Sequence, residues 1–219
     1  ILKEAILKKG IEPSLDSKYN HWLKAPHNWN QVCNAGMTYG ALAIYEDQPE
    51  LSKQIIDRAI ESIKLPMENY NPDGAYPEGY GYWVYGTSFN LLFLSAIQRA
   101  LGSDFGLSDG RGLLNTASYF QNMVGTSGKT FNYGDTDSGR EGGVSPAMFW
   151  FANRIKDPSL LHFQLKVLEN IPPNTGEDRI LPASLIWGIG LKLDRAEVPK
   201  QLIWVGQGKN PVAMMRTSW

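Results

Sequence analysis

The sequence predicts an all-α protein, built as an incomplete (α/α) toroid of inner and outer helices with a short β segment at the C-terminal end. Three observations predict it. The spans 28–45 and 79–98 carry no formal charge, yet Asn, Gln, Thr, Ser and Gly interrupt their apolar surface. They read as helices covered on all sides by protein, not as membrane spans. Amphipathic stretches alternate with these uncharged ones, which implies two concentric layers made from helical hairpins. Finally, β-branched runs between the helices, which a doubly wound α/β fold would need, are missing before about residue 200.

Taken in chain order, 28–45 is the first inner helix. "LSKQIIDRAIESIKL" follows, with Leu51, Ile55, Ile56, Ala59, Ile60 and Ile63 on one stripe and charged residues opposite, the signature of a helix with one wet face. The span 79–98 is uncharged again. "SPAMFWFANRI" (145–155) is nearly all apolar, "DPSLLHFQLKVLEN" (157–170) is amphipathic, and "LPASLIWGIGLKL" (181–193) returns to the apolar, inner type. Residues 1–200 are therefore expected to form one helical domain. The segment 201–219 reads as a linker, a turn at "NP" and a strand. The chain begins at Ile1 and closes on that strand, so it is expected to be an excised piece of a longer protein.

Composition narrows the function. At 219 residues, with 42% hydrophobic and 20% charged residues, the chain has an ordinary globular balance. A net charge of −1 gives no basic stripe to displace counterions from nucleic acid. The single cysteine, Cys33, excludes an intrachain disulfide and a cysteine zinc cage. His21, His27 and His162 are too scattered for a metal motif, and His21 and His162 read as structural. No metal site, cofactor or membrane span is expected in this piece.

Two loops are too long and too rich in Gly, Asp and aromatic residues to be plain connectors: "NYNPDGAYPEGYGYW" (69–83) and "GTSGKTFNYGDTDSGREGGVS" (125–145). In the first, Tyr70, Tyr76, Tyr80, Tyr82 and Trp83, with Tyr85 just beyond, crowd around Glu78. Flat rings with polar tips suit a sugar, which offers C–H faces and a rim of hydroxyls; packing of these rings into the top of the fold is the competing reading. "HNWNQVCNAG" (27–36) concentrates uncharged hydrogen-bonding groups at the head of an apolar helix. Those groups either cap the helix, with Asn28 a good N-cap, or receive a carboxylate belonging to a ligand.

The motifs "HNWNQVCNAGMTYGALAI", "DGAYPEGYGYWVYGTSF", "FNYGDTDSG" and "VAMMRTSW" together resemble the heparinase II/III group of polysaccharide lyases, from about residue 20 to the end. The resemblance implies an α/α toroid followed by a β-sandwich domain whose first strand lies within 201–219. It implies β-elimination at a uronic acid in an acidic polysaccharide or oligosaccharide, in the periplasm or after secretion. Asn28 or Asn30 would neutralise the carboxylate, His27 would share that role or act in proton transfer, and Tyr82 would be the base, the acid or both, with Tyr80 and Tyr85 as rivals for that place. Trp29, Glu78, Tyr80, Tyr85, Tyr133, Asp135 and Arg140 would bind substrate, Arg140 suiting a sulfate or second carboxylate through its fork of donors. The family supplies a further histidine, and often a structural metal, from the sandwich domain, so the resemblance implies that this piece alone lacks full activity.

Two other readings are open. A glycoside hydrolase on the same kind of barrel needs paired carboxylates, for which Glu78 with Asp135 or Asp137 would serve. A non-catalytic carbohydrate-binding domain would keep only the aromatic groove.

Overall fold

The charge-free stretch that opens at residue 28 folds as a helix in a computed structural model of the chain, which describes residues 1–137, 142–170 and 179–219. The described residues are mostly helical, with one small antiparallel sheet. They divide into two compact units. One comprises Ile1–Asn69 and Tyr85–Asp109, the other Tyr70–Val84 and Gly110–Trp219.

The first unit begins with α1 (Leu2–Ala5), which runs on into a π-helical turn at Ile6–Ile11. Helix α2 (Asn28–Ala43) then packs on α3 (Pro49–Ser62), and the short α4 (Lys64–Met67) follows. Proline at the first position of α3 suits a helix start because its missing N–H has no helical partner to lose. The apolar stripe of α3 faces inward as its spacing requires: Ile55, Ile56, Ala59 and Ile63 are buried with Ile11, Trp22, Ile44, Leu91, Phe93 and Ile97. The Ser52 hydroxyl donates to the Ala41 carbonyl at 2.9 Å, fastening α3 to α2. Helix α5 (Tyr80–Leu101) starts in the second unit and continues through the first.

The second unit holds the start of α5, then α6 (Arg111–Asn122), α7 (Pro146–Ile155), α8 (His162–Glu169), α9 (Ala183–Trp187) and a hairpin of β1 (Ile203–Gly206) and β2 (Val212–Met215). Its core is a stack of rings. Trp83 lies 4.1 Å from Phe120 and Tyr80 4.4 Å from the same ring, both nearly parallel to it. The hairpin pairs Ile203 with Met215 and Gly206 with Val212, and buries Trp204 edge-on against Tyr119 at 5.7 Å.

Three expectations change. The uncharged helices are not covered all round: α2 exposes Trp29 and Tyr39, and α5 exposes Tyr82 and Tyr85. Lack of charge marks a helix that buries most of its surface, but neutral aromatic side chains tolerate partial exposure without charge. Next, 181–193 is not a long inner helix. The helix ends at Gly188, Gly190 adopts φ +82°, and Leu185 (80% exposed), Ile186 and Ile189 stand in the open. Two glycines in three residues stop a helix that apolar composition alone would extend. Finally, α6 answers to no element read from the sequence.

No described helix is long and apolar enough to cross a membrane.

Candidate functional site

At the head of α2 the N-cap is His27, not Asn28. The His27 Nδ1 accepts from the Trp29 N–H at 3.5 Å, and its backbone is extended. An accepting Nδ1 selects the tautomer with its proton on Nε2, which makes the neutral ring a donor at its far edge. Just before it, the Pro26 carbonyl accepts from Asn69 Nδ2 at 2.6 Å, tying the entry to the helix to the segment after α4. Trp29 is 57% exposed and Asn28 is buried.

Asn30 is fully buried and heavily committed. Its Nδ2 lies 3.1 Å from the Leu23 carbonyl, 3.2 Å from the Ser62 carbonyl and 3.0 Å from Ser62 Oγ, while its Oδ1 accepts from Asn34 Nδ2 at 2.7 Å. Ser62 Oγ in turn donates to the Leu23 carbonyl at 2.8 Å and receives Asn34 Nδ2 at 3.0 Å. Asn30 therefore joins α2, the end of α3 and the 3₁₀ turn at His21–Lys24. A buried amide is retained in a core when its hydrogen bonds are met, and here they are met from within the first unit.

The second unit assembles around the start of α5. Gly79 adopts φ +87°, a conformation costly for any residue with a Cβ, and a Cβ there would collide with Tyr133 and Thr136. The Thr136 hydroxyl accepts from the Tyr80 N–H at 2.7 Å. The first turn of α5 is thus capped by a side chain from a loop far along the chain, filling the role an N-cap residue normally plays. The Asp135 N–H donates to the Glu78 carbonyl at 3.2 Å, so the loops 69–83 and 125–145 meet backbone to backbone.

Helical phase then sorts the aromatic cluster. Tyr80 (3% exposed) points inward; its hydroxyl donates to the Gly143 carbonyl at 3.2 Å and accepts from the Gly143 N–H at 3.1 Å. Trp83 is buried and donates from Nε1 to Thr116 Oγ1 at 2.8 Å, and Thr116 donates to the Gly74 carbonyl at 2.6 Å. Tyr82 and Tyr85, 39% and 40% exposed, lie on the other side of α5, with Tyr85 edge-on to Phe89. Tyr70 and Tyr76 are buried and stacked at 5.6 Å. Tyr76 donates to Glu78 Oε2 at 2.8 Å. Burial, with smaller contributions from Tyr70 and Glu78, pushes the Tyr76 phenol well above the usual tyrosine range.

The other predicted binders spread along this rim. Tyr133 is half-buried and stacks with Phe131 (6.2 Å), and its hydroxyl donates to the Asn210 carbonyl in the hairpin turn. Burial raises its phenol too. Asn210 Nδ2 donates to the Pro77 carbonyl at 3.1 Å and the Gln207 N–H to Asp73 Oδ2 at 2.6 Å, so the β1–β2 turn braces the loop that carries Glu78. Asp135 and Asp137 are exposed, and Glu78 is partly so. Arg140 lies outside the described residues. Phe131 and Thr136 were not singled out from sequence. Phe131 sits in the quoted "FNYGDTDSG" motif, but nothing in the sequence marks Thr136 as the cap of a helix at Tyr80. Among the described residues no group of three or more His, Cys, Asp and Glu side chains is placed to hold a metal ion.

Chemically, the head of α2 offers neutral donors and an exposed indole, and the second unit offers a half-exposed phenol on a braced helical turn and, on the loops before and after it, the carboxylates of Glu78, Asp135 and Asp137. No family model matches the chain, and no curated protein matches it.

Proposed function

We propose that the chain is the helical part of a polysaccharide lyase, with its helices belonging to an (α/α) toroid, and that it cleaves a uronic-acid-containing polysaccharide by β-elimination. The observation that carries the proposal is the division of labour on α5. Tyr80 has its hydroxyl committed to Gly143, whereas Tyr82 is half-exposed on a turn fixed by the Thr136 cap and the buried Trp83. A phenol held by its backbone and open at its tip is what proton transfer to and from a bound sugar requires.

The C5 hydrogen of a uronate is a very weak acid while its neighbouring carboxylate keeps full charge. The His27 imidazole lowers that charge and stabilises the enolate-like intermediate, as an oxyanion hole does. Asn28 and Asn30, both buried, hold the helix head that presents it. Tyr82, reacting as its phenolate, takes the proton from C5; the electron pair forms the C4–C5 double bond as the C4–O bond breaks, and the Tyr82 phenol so formed gives that proton to the departing oxygen. Trp29 stacks on a sugar face. On this reading the chain works beside a β-sandwich domain and acts in the periplasm or outside the cell.

A second reading rests on the Asp135–Glu78 backbone bond, which brings two carboxylate-bearing loops together. Glu78 with Asp135 or Asp137 would then hydrolyse a glycosidic bond. Incubating the chain, and any longer protein that contains it, with acidic polysaccharides separates the two. Elimination raises ultraviolet absorbance through a conjugated double bond; hydrolysis gives reducing ends without that rise and overturns the lyase reading.

A further inference from the structure

A second feature of the second unit shares no residue with the candidate site. Between α6, α8 and the end of β2 lies a cavity of about 530 Å³, lined by Val124, His162, Phe163, Lys166, Arg216 and Trp219 among others. That volume falls within the span of small-molecule sites. Its walls combine the apolar Val124, Phe163, Val167 and Trp219 with uncharged polar groups such as Gln121 and Asn170; Arg216 and the exposed Lys166 bring two cations to it, and no carboxylate side chain lines it among the described residues.

The cations are placed differently. Arg216 is built in: Nη2 donates to the Asn122 carbonyl at 2.9 Å and Nη1 to the Val124 carbonyl at 3.3 Å, at the C-terminal end of α6. Its guanidinium carbon lies 3.7 Å from the centre of the Trp219 ring, which is itself fixed by a 2.9 Å bond from Nε1 to the Gln201 carbonyl. A guanidinium carries five N–H donors, and these bonds use two of them. Lys166 stands one helical turn after His162 on α8, so both reach the same side of that helix. The His162 Nε2 is buried without a partner among the described residues. Neither Lys166 nor Arg216 forms an ion pair among the described residues.

We propose that this cavity binds a small organic anion: a ring with an apolar face, carrying a carboxylate or sulfate. The face lies against Phe163 and Trp219, and the acid group lies between Lys166 and the remaining donors of Arg216. A fixed guanidinium recognises such a group in plane, while the flexible ammonium closes on it as a point charge. The site is independent of the elimination chemistry and stands whether or not Tyr82 is catalytic.

The test is titration of the 219-residue chain with three probes that share a nitrophenyl ring: 4-nitrophenyl β-D-glucuronide, 4-nitrophenyl sulfate and the neutral 4-nitrophenyl β-D-glucoside. Binding is followed by the indole N–H resonance of Trp219, assigned with Trp219→Phe. The charged probes shift that resonance saturably and bind at least tenfold more tightly than the glucoside. Lys166→Gln, a change at an exposed side chain that leaves the fold intact, weakens the charged probes by roughly tenfold, the value of one lost charged hydrogen bond. Tyr82→Phe leaves these affinities unchanged, so a failure of the lyase reading does not alter this result. No saturable shift, equal binding of the neutral probe, or an unaltered affinity in Lys166→Gln overturns the proposal.

Discussion

Asn30 shows how far a residue's role can depend on what lies out of sight in the sequence. "HNWNQ" displays three amide or imidazole groups in a row as equals, and composition gives no reason to rank them. The fold ranks them by helical phase. Asn30 turns inward to meet Leu23, Asn34 and Ser62, Trp29 turns outward, and His27 closes the helix end. Asn30→Ala removes the central amide and leaves buried partners unsatisfied, at a cost of about 2–3 kcal/mol. Thermal unfolding should show Tm lower by roughly 5–10 °C. Asn30→Asp is the sharper substitution: it replaces a donor by an acceptor facing the Leu23 and Ser62 carbonyls, and it should destabilise more than alanine. If Asn30→Asp unfolds no earlier than the unaltered chain, the buried amide network does not hold the head of α2. The same phase rule separates Tyr80 from Tyr82. Their spacing, in a run where nearly every residue is aromatic or glycine, carries no period that sequence could read.

At the scale of elements, what the sequence made legible followed charge. Helices α2, α7 and α8 fall within, and α3 and α5 largely overlap, spans marked by scarce or one-sided charge. Helix α6 was not marked, because "RGLLNTASYFQN" mixes polar and apolar residues and buries Thr116 and Asn122 along with Leu113 and Phe120. Its Gly112 lies so close to the Tyr70 backbone that no side chain would fit there, a constraint of tertiary packing with no local trace. The start of α5 was equally hidden, since its cap arrives from Thr136. Thr136→Val keeps the shape and removes the acceptor. It should cost about 1 kcal/mol, seen as Tm lower by roughly 2–4 °C and as faster hydrogen exchange at the Tyr80 amide, with Thr136→Ser restoring both. Unchanged exchange at Tyr80 in the valine variant would mean that the hydroxyl does not cap this helix.

Across the whole molecule, the second unit carries a liability at high pH. Burial holds the phenols of Tyr76 and Tyr119 above the ordinary tyrosine value near 10. In that condition the unfolded chain releases these protons first, so their contribution to stability is complete below pH about 10 and is lost as pH rises beyond it. The slope is about 1.4 kcal/mol per pH unit for each such group. Urea unfolding at successive pH values from 8 to 11 should show this decline. Tyr119→Phe should make it shallower and, because the Tyr119 hydroxyl is buried with no partner among the described residues, add about 1 kcal/mol at neutral pH. A stability that stays flat from pH 9 to 11 would contradict the account. Function at this scale rests on one hydroxyl. The direct measurement is the initial rate of ultraviolet absorbance increase on a uronate-rich polysaccharide, comparing the unaltered protein with Tyr82→Phe of matched Tm. General acid–base catalysis is worth roughly 10²–10⁴ in rate, so the substituted protein should fall by at least about a hundredfold. A Tyr82→Phe protein that raises the absorbance within a few-fold of the original rate would remove that tyrosine, and the mechanism built on it, from consideration.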